Sequence, residues 1–156
     1  MKRVIVGILL GMTILSQPIT VHAQCEMFSR THDVKMNVNE FTYEEARLLL
    51  EIAQAEAGNQ GSDGMWLVMS TVYNRRESDV FPSTIESVIF DEGQFYTAGM
   101  GKTEISPECH EALARIEKGD VAPEIVAFEN CSSNSLDIYF TPAFTYRDHQ
   151  FYTLSK

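Results

Sequence analysis

The sequence predicts an α+β fold in which a helical body is followed by a small C-terminal antiparallel sheet. Between Thr42 and Gly119, apolar residues recur at helical spacing, and the runs begin at residues that can cap a helix. From Pro123 onward the hydrophobic period changes to two, which is typical of strands. Because the helices precede the strands, we expect separate layers, with the sheet packed on the helices.

The first helix is predicted over Tyr43–Ala57. Thr42 and Glu45 form a capping box, because the threonine oxygen can accept a backbone N–H while the glutamate reaches back to the cap. Gly58 is expected to end the helix in a left-handed conformation. The core-facing stripe consists of five apolar residues at helical spacing: Ala46, Leu49, Leu50, Ala53 and Ala57.

The second helix is expected to be capped by Ser62 or Asp63 and to run to about Arg75. Its apolar residues lie on one side: Met65, Met69, Val72 and Tyr73. Proline disfavours helix in the residue before it, so Phe81–Pro82 breaks the chain. A capping box over residues 83–86 then begins a short third helix, which ends near residue 90.

The fourth helix begins with Ser106 as its cap and Pro107 in its first turn, and Gly119 stops it. Its buried face is formed by Cys109, Ala112, Leu113 and Ile116. Three strands are predicted beyond it: Ile125–Phe128, Ile138–Phe140 and Gln150–Thr153.

Residues 1–23 have the features of a secretory signal peptide. Lys2 and Arg3 precede an apolar run from Val4 to Leu15 that is too short for a comfortable membrane span, and Ala23 ends a suitable cleavage site. An uncleaved anchor is the alternative. We therefore expect a lead-in segment at 24–41, a folded domain at 42–156, and a secreted protein without stable membrane insertion.

The strong negative charge excludes one class of partner. The chain has 22 acidic and 12 basic residues and a net charge of −10. Loss of residues 1–23, which contain two basic and no acidic residues, would leave a net charge of −12. We expect no nucleic-acid binding because a phosphate backbone would repel this surface, whereas a neutral sugar substrate is compatible with it.

Three cysteines would enter an oxidising compartment after export: Cys25, Cys109 and Cys131. The preferred disulfide is Cys109–Cys131, which would join the start of a helix to the end of a strand. It would stabilise the fold by about 3 kcal/mol in the chain-entropy description. The alternative is three free thiols.

Glu56 is the candidate for acid chemistry. It follows Ala53 by three residues and therefore leans onto the apolar stripe, where a carboxyl group tends to retain its proton, as a general acid must. The structural alternative is a glutamate that reaches water past small alanines. The sequence contains no zinc-binding His-Glu-x-x-His helix, Gly-x-Ser-x-Gly elbow or phosphate-binding glycine loop, so we expect no metal and no cofactor.

Five segments in order resemble the cell-wall hydrolase family of the spore-cortex-lytic type, which is SleB-like, in its clostridial form. They are Ala55–Gly61, Val72–Arg75, Phe81–Phe90, Gln94–Phe95 and Asp148–Tyr152. No segment is specific alone, but their order and spacing across nearly all of the predicted mature chain carry the resemblance.

The resemblance implies a lysozyme-like fold and cleavage of the β-1,4 bond between N-acetylmuramic acid and N-acetylglucosamine in peptidoglycan glycan strands. It further implies a lytic transglycosylase, which leaves a 1,6-anhydromuramic end. The family's essential acid corresponds to Glu56, which would protonate the glycosidic oxygen and then accept the proton of the C6 hydroxyl group. On this basis 42–156 is the catalytic domain, and the cell wall is its location.

The resemblance also suggests substrate-binding residues. Gln94 is expected to bind an N-acetyl group and Phe95 to stack on a sugar, unless Phe95 belongs to the core. Tyr152 and His149 should face opposite sides of a strand, and we favour Tyr152 as the group that orients Glu56. The remaining candidate, Asn74, can equally cap a helix. For Arg75 we favour a surface ion pair.

The sequence departs from the family at Gly58–Asn59, where many members have Arg-Gly, and at Arg147, where related sequences often have glycine. The nearest rival function is a water-using muramidase with a second carboxylate at Glu86, Asp91 or Glu92. A non-catalytic cell-wall-binding protein is another. A cysteine hydrolase that uses Cys109 and His149 is the third, and a disulfide at that cysteine would exclude it. Spore cortex and vegetative wall stay open as substrates.

Overall fold

The computed structural model describes residues 41–95, 97–98 and 104–155, and it confirms the α+β prediction. The predicted signal peptide, Cys25 and all of the lead-in segment except its last residue lie outside these ranges. Four helices come first: α1 (Tyr43–Ala57), α2 (Gly61–Arg76), α3 (Ile85–Ile89) and α4 (Pro107–Glu117). Three strands follow: β1 (Ile125–Asn130), β2 (Phe140–Tyr146) and β3 (His149–Leu154).

Helix α1 has the predicted bounds and the predicted capping box. Oγ1 of Thr42 accepts the N–H of Glu45, and the carboxylate of Glu45 accepts the N–H of Thr42 at 2.9 Å. The prediction for Gly58 is wrong, because this residue is right-handed (φ −58°). The left-handed turn comes at Gly61 (φ 73°), so the chain continues for three residues before it reverses into α2.

Helix α2 is the central helix of the fold, and its sequence pattern was misleading in two ways. Its N-cap is Gln60, which makes no side-chain cap bond, so neither Ser62 nor Asp63 caps the helix. The one-sided apolar stripe is also wrong, because α2 packs against α1, α3, α4 and β1 and is buried on several sides. Its buried residues are Gly64, Met65, Leu67, Val68, Met69, Ser70, Thr71, Val72 and Arg75.

For the two shorter helices, the predicted cap of α3 is wrong and the predicted cap of α4 is confirmed. Thr84, rather than Ser83, caps α3 by accepting the N–H of Ser87. Ser106 caps α4 as predicted by accepting the N–H of Cys109, and Pro107 occupies the first position.

The sheet is antiparallel in the order β1-β3-β2, with β3 in the centre. The prediction of a strand at Ile138–Phe140 is wrong, because Ile138 and Tyr139 belong to an exposed turn and β2 begins at Phe140. Pro142 is tolerated in β2 because this is an edge strand. Register irregularities interrupt β1 between Ile125 and Ala127 and β2 between Pro142 and Phe144.

The predicted disulfide is also wrong. Cys109 and Cys131 are both free: the first is buried, and its thiol donates to the carbonyl oxygen of Leu50 at 3.4 Å, whereas the second is exposed after β1. Burial raises the pKa of the Cys109 thiol to about 11, so it is a poor nucleophile as well. Within the described residues, no helix is both long and apolar enough to cross a membrane.

Candidate active site

Glu56 lies in the last turn of α1 and is half-buried. One of its carboxylate oxygens, Oε1, accepts the hydroxyl of Thr97 at 2.6 Å and the backbone N–H of the same residue at 3.3 Å. The second oxygen has no hydrogen-bond partner among the residues that the structure describes. Thr97 therefore fixes the carboxyl group through one oxygen only.

His149, the first residue of β3, belongs to the same site. The residue is 9% exposed, and its ring lies 4.8 Å from the ring of Phe128, centroid to centroid. Burial lowers the pKa of His149, while the charges of Glu56 and Asp148 act in the opposite direction. Because the net shift is downward, the imidazole is mainly neutral at pH 7. It therefore does not place a full positive charge beside Glu56.

Gln60 joins the end of α1 to β3. It is 2% exposed, and its Nε2 lies 3.2 Å from each ring nitrogen of His149. Its Oε1 has no partner within the described part of the chain. Gly64 supplies the space for this residue, because a Cβ there would lie 2.5 Å from the Cβ of Gln60. The amide thus holds the imidazole ring from the side of the helices.

Arg75 organises the segment that leads to Thr97, and the predicted surface ion pair is wrong. The side chain is buried, and its guanidinium group lies 5.0 Å from the ring centroid of Phe81 and 5.3 Å from that of Phe95. It donates to the backbone carbonyl of Val126 and, at 2.8 Å, to Oε1 of Gln94. Burial lowers the pKa of Arg75 to about 10, which leaves it charged at pH 7.

The contacts of Arg75 decide the positions of the two residues in the Gln94–Phe95 segment. Phe95 is 7% exposed and packs against Arg75 and Phe128, so it is a core residue and its ring is not free to stack on a sugar. Gln94 is exposed, and its carbonyl oxygen is occupied by Arg75. Only its amide N–H groups are left to meet a ligand.

Tyr152 does not orient Glu56, contrary to the preference stated above. It is 1% exposed, and its hydroxyl donates to Oε1 of Glu129 at 2.6 Å. Successive residues of a strand alternate between faces, so His149 and Phe151 share one face of β3 and Tyr152 lies on the other. The prediction of opposite faces was right, and the choice between the two residues was wrong.

Asn74 has a structural role in place of the suggested helix cap. Its Nδ2 donates to the carbonyl oxygens of Ala122 at 2.8 Å and Ile125 at 2.9 Å, and so ties α2 to the start of β1. These two bonds use both of its N–H groups, which removes the donors a sugar contact would need.

Sequence reasoning missed Thr97 and Gln60 as members of the site. Thr97 lies in a glycine-rich loop of which residues 99–103 are outside the described ranges, and nothing in its local pattern distinguishes it. Gln60 could have been noticed in the sequence. It lies within the segment that resembles the family and directly before a helix, at a position where Ser, Thr, Asp or Asn is the usual cap.

The arrangement supports proton transfer by a single carboxyl group. Thr97 hydrogen-bonds to this group, Glu56, and the charge of Glu56 acts on the pKa of His149. The described residues contain no group of three or more His, Cys, Asp or Glu side chains that could hold a metal ion. Glu86, Asp91 and Glu92 are exposed on α3 and in the turn after it, and none makes a described contact with Glu56.

Comparison with known proteins gives a consistent result. Residues 59–153 match the model of a family described as Cell Wall Hydrolase, and this match begins three residues after Glu56. A search of the curated proteins finds no match.

Two solved structures share the fold. One is the catalytic domain of the Bacillus cereus SleB protein, with a TM-score of 0.64 and 18% identity over 76% of this chain and 97% of that one. The other is the catalytic domain of a germination-specific lytic transglycosylase, SleB from Bacillus anthracis, with a TM-score of 0.64 and 16% identity over 74% and 98% of the two chains.

Proposed function

Because this chain belongs to the cell wall hydrolase family, we propose that it cleaves peptidoglycan glycan strands as a lytic transglycosylase, with Glu56 as acid and then base. The fold supports this proposal through its similarity to a structure described as a lytic transglycosylase. The observation that carries it is the half-buried carboxyl group of Glu56, which is anchored through one oxygen, while the other has no hydrogen-bond partner among the described residues.

The proposed reaction needs no water and no second carboxyl group. Protonated Glu56 gives its proton to the bridging oxygen as the bond from that oxygen to C1 of the muramic acid breaks. The oxygen of the C6 hydroxyl group of the same sugar then bonds to C1, and its proton passes to the Glu56 carboxylate. The products are a 1,6-anhydro end and a free hydroxyl end, and the enzyme regains its proton.

The neighbours of Glu56 suit this cycle. Two hydrogen bonds from Thr97 fix the direction of the carboxyl group, and positioning of this kind lowers the cost of reaching the transition state. Burial lowers the pKa of His149, so this ring is mainly neutral at pH 7 and is proposed to contact the substrate as a neutral group. Gln94 is proposed to donate an amide N–H to the acetamido oxygen of the substrate.

The proposed site of action is the cell wall outside the membrane, after removal of residues 1–23. This location follows from the substrate class and from the leader-like sequence. The low net charge of peptidoglycan sugars is compatible with the acidity of the protein.

Mass spectrometry of the products tests the proposal. Purified peptidoglycan is incubated with the wild type, Glu56→Gln and the control Glu51→Gln, which alters an exposed pair with Arg47 on the same helix. We expect anhydromuropeptides from the wild type and the control but none from Glu56→Gln. Reducing ends in their place would establish a muramidase, and wall binding without release would establish a binding protein. Either result overturns the proposal.

A further inference from the structure

Gln60 is a buried polar residue that does not serve the helix it precedes. It is 2% exposed and occupies the N-cap position of α2, yet its side chain makes no cap bond to that helix. A polar side chain at such a position normally accepts a backbone N–H or turns to water. The amide of Gln60 does neither, and its side-chain contact within the described residues is with His149 on β3. This contact therefore determines where the amide lies.

The geometry of the contact restrains the imidazole ring through its face. Nε2 of Gln60 is 3.2 Å from both ring nitrogens of His149. The two nitrogens direct their in-plane bonds away from each other, so a bond along one of them would leave the other nitrogen much farther away. Equal short distances instead place Nε2 over the face of the ring, where an amide N–H meets the π electrons. Gln60 thus restrains the plane of the ring and leaves the in-plane position of each nitrogen unused.

Two aromatic rings of the sheet contact the same imidazole. The ring of Phe128 on β1 lies 4.8 Å away with 34° between the planes, and that of Phe151 on β3 lies 6.0 Å away at 77°. His149 is therefore contacted from the helical layer by an amide and from the sheet by aromatic rings. A side chain packed in this way has little freedom to change its rotamer.

The residues around Gln60 make room for the contact and support it. A Cβ at Gly64, one helical turn later, would lie 2.5 Å from the Cβ of Gln60 and 3.5 Å from its Oε1, so a larger residue there would displace the amide. A second contact joins the same two segments, because Arg147 in the turn before β3 donates to the carbonyl oxygen of Asn59 at 3.4 Å. The junction of α1 and α2 is thus tied to the start of β3 at two adjacent places.

The charge of the ring depends on groups from every element around it. Burial lowers the pKa of His149 more strongly than the charges of Glu56 on α1 and Asp148 in the preceding turn raise it. The other neighbours are Arg147 in that turn and four side chains of the sheet: Asn130, Tyr146, Phe128 and Phe151. Gln60 presents an N–H to the ring, and a protonated ring is itself a cation with two donors. The contact therefore opposes protonation, as burial does.

We propose that Gln60 is a positioning residue of the Glu56 site, which holds His149 as a neutral imidazole in one orientation. The inference rests on the proposed function, in which this ring contacts the substrate. A neutral ring has one N–H donor and one acceptor nitrogen, whereas an imidazolium has two donors. Gln60 therefore preserves an acceptor to which a sugar hydroxyl group can donate, and its effect on the reaction passes through His149.

Nuclear magnetic resonance spectra recorded across a pH series test the contact without any substrate. In the wild type, the side-chain amide signals of Gln60 should shift along the same curve as the ring signals of His149. Gln60→Glu should move the His149 titration to higher pH, because an anionic acceptor replaces the donor. Gln60→Met keeps the length of the side chain but lacks the N–H, and should move the titration in the same direction by less. The control Gln150→Met, whose side chain bonds to backbone carbonyl groups of β2 and β3, should leave it unchanged. Amide signals of Gln60 that ignore the titration of His149 would overturn the proposal.

The kinetics of glycan cleavage test the positioning role, at a temperature where each variant is folded. Gln60→Met should lower kcat about tenfold, the upper range for one neutral hydrogen bond, with a smaller change in KM. In the His149→Asn background the same change should cause little further loss, because Gln60 acts through the ring. Gln150→Met should stay close to the wild type.

The two experiments separate the failure of this inference from that of the proposed function. Losses for Gln60→Met and His149→Asn that simply multiply would show that Gln60 acts independently of the ring, and would overturn the inference while Glu56 keeps its role. A wild type that cleaves no glycan would overturn the proposed function, and the pH series would still decide whether Gln60 controls the charge of His149.

Discussion

Two glutamates of this protein are buried to a similar degree but differ in the number of hydrogen bonds that their carboxylates accept. Glu56 and Glu129 are both half-buried, and both accept hydrogen bonds from hydroxyl groups. Glu129 is saturated: Tyr152 and the N–H of Leu136 donate to one oxygen, and Ser133 and Ser135 to the other. For Glu56, both described donors come from Thr97, and both reach the same oxygen.

The number of hydrogen-bond donors separates the structural carboxylate of Glu129 from the proposed acid, Glu56. Burial raises the pKa of Glu129, but the four donors outweigh it and lower the pKa to about 2. This carboxylate is therefore ionised at any ordinary pH, and it connects the segment after β1 to Tyr152 of β3. Within the described residues, Glu56 accepts hydrogen bonds at one oxygen only, and the imidazole on whose pKa its charge acts, that of His149, is mainly neutral. A candidate general acid is therefore best identified by a carboxylate oxygen that accepts no hydrogen bond.

The largest effect should follow substitution of Glu56. Glu56→Gln keeps the shape of the side chain but removes the transferable proton, so the rate of glycan cleavage should fall by about 10³-fold. The free energy of unfolding should change by less than about 0.5 kcal/mol, as for most half-exposed changes. Release of soluble muropeptides and thermal unfolding measure the two quantities. Residual activity above a tenth of the wild type would show that another group supplies the proton.

Substitution of Glu129 should instead lower stability and leave glycan cleavage largely unchanged. Glu129→Gln cannot accept all four donors and exchanges charged hydrogen bonds for neutral ones, so we expect a loss of about 2 kcal/mol in the free energy of unfolding. Tyr152→Phe removes one of the donors and should cost about 1 kcal/mol. Urea unfolding measures both, and cleavage at a temperature where each variant is folded should stay within about threefold. A catalytic defect as deep as that of Glu56→Gln would abolish the contrast.

The parts of the fold that depend on neighbours in sequence were predictable. The capping box of Thr42, the bounds of α1 and the Ser106 cap of α4 rest on contacts between residues three positions apart. The position of Glu56 was equally local, because helical spacing alone placed it at the end of the apolar stripe. The α+β order also followed from a change of period that is visible in the sequence.

Contacts between distant segments were not predictable from local pattern. Phe95 packs against the guanidinium group of Arg75 and is not exposed to solvent. Arg75 is held in this position by its hydrogen bonds to Gln94 and to the carbonyl oxygen of Val126. Cys109 faces the core across from Leu50, so the proposed disulfide failed on geometry that only tertiary packing defines. The donors of Glu129 lie four to 23 residues away, and this spread explains why Tyr152 was assigned to the wrong carboxylate.

Thr97 offers a smaller change that sharpens the comparison. Thr97→Val removes the 2.6 Å hydroxyl bond to Glu56 and retains the backbone bond and the shape. We expect about a tenfold loss in turnover with little change in stability, which corresponds to the typical value of one bond to a charged group. Thr97→Ser should restore most of the activity. Equal rates for the valine and serine variants would show that the hydroxyl group has no part in positioning the acid.

The smallest expected effect concerns His149 and the dependence of stability on pH. Burial lowers the pKa of His149 in the folded state, whereas Glu56 on α1 and Asp148 in the preceding turn raise it less. The unfolded chain, with a histidine pKa of about 6.5, therefore binds a proton more readily than the folded protein does. The contribution of His149 to stability is full above pH 6.5 and declines as the pH falls through that value toward the lower folded-state pKa.

His149→Asn should remove this part of the stability loss between pH 7 and 5, whereas His110→Asn, an exposed change on α4, should leave that loss intact. Urea midpoints measured across that range would contradict the assignment if the wild type and His149→Asn changed in parallel.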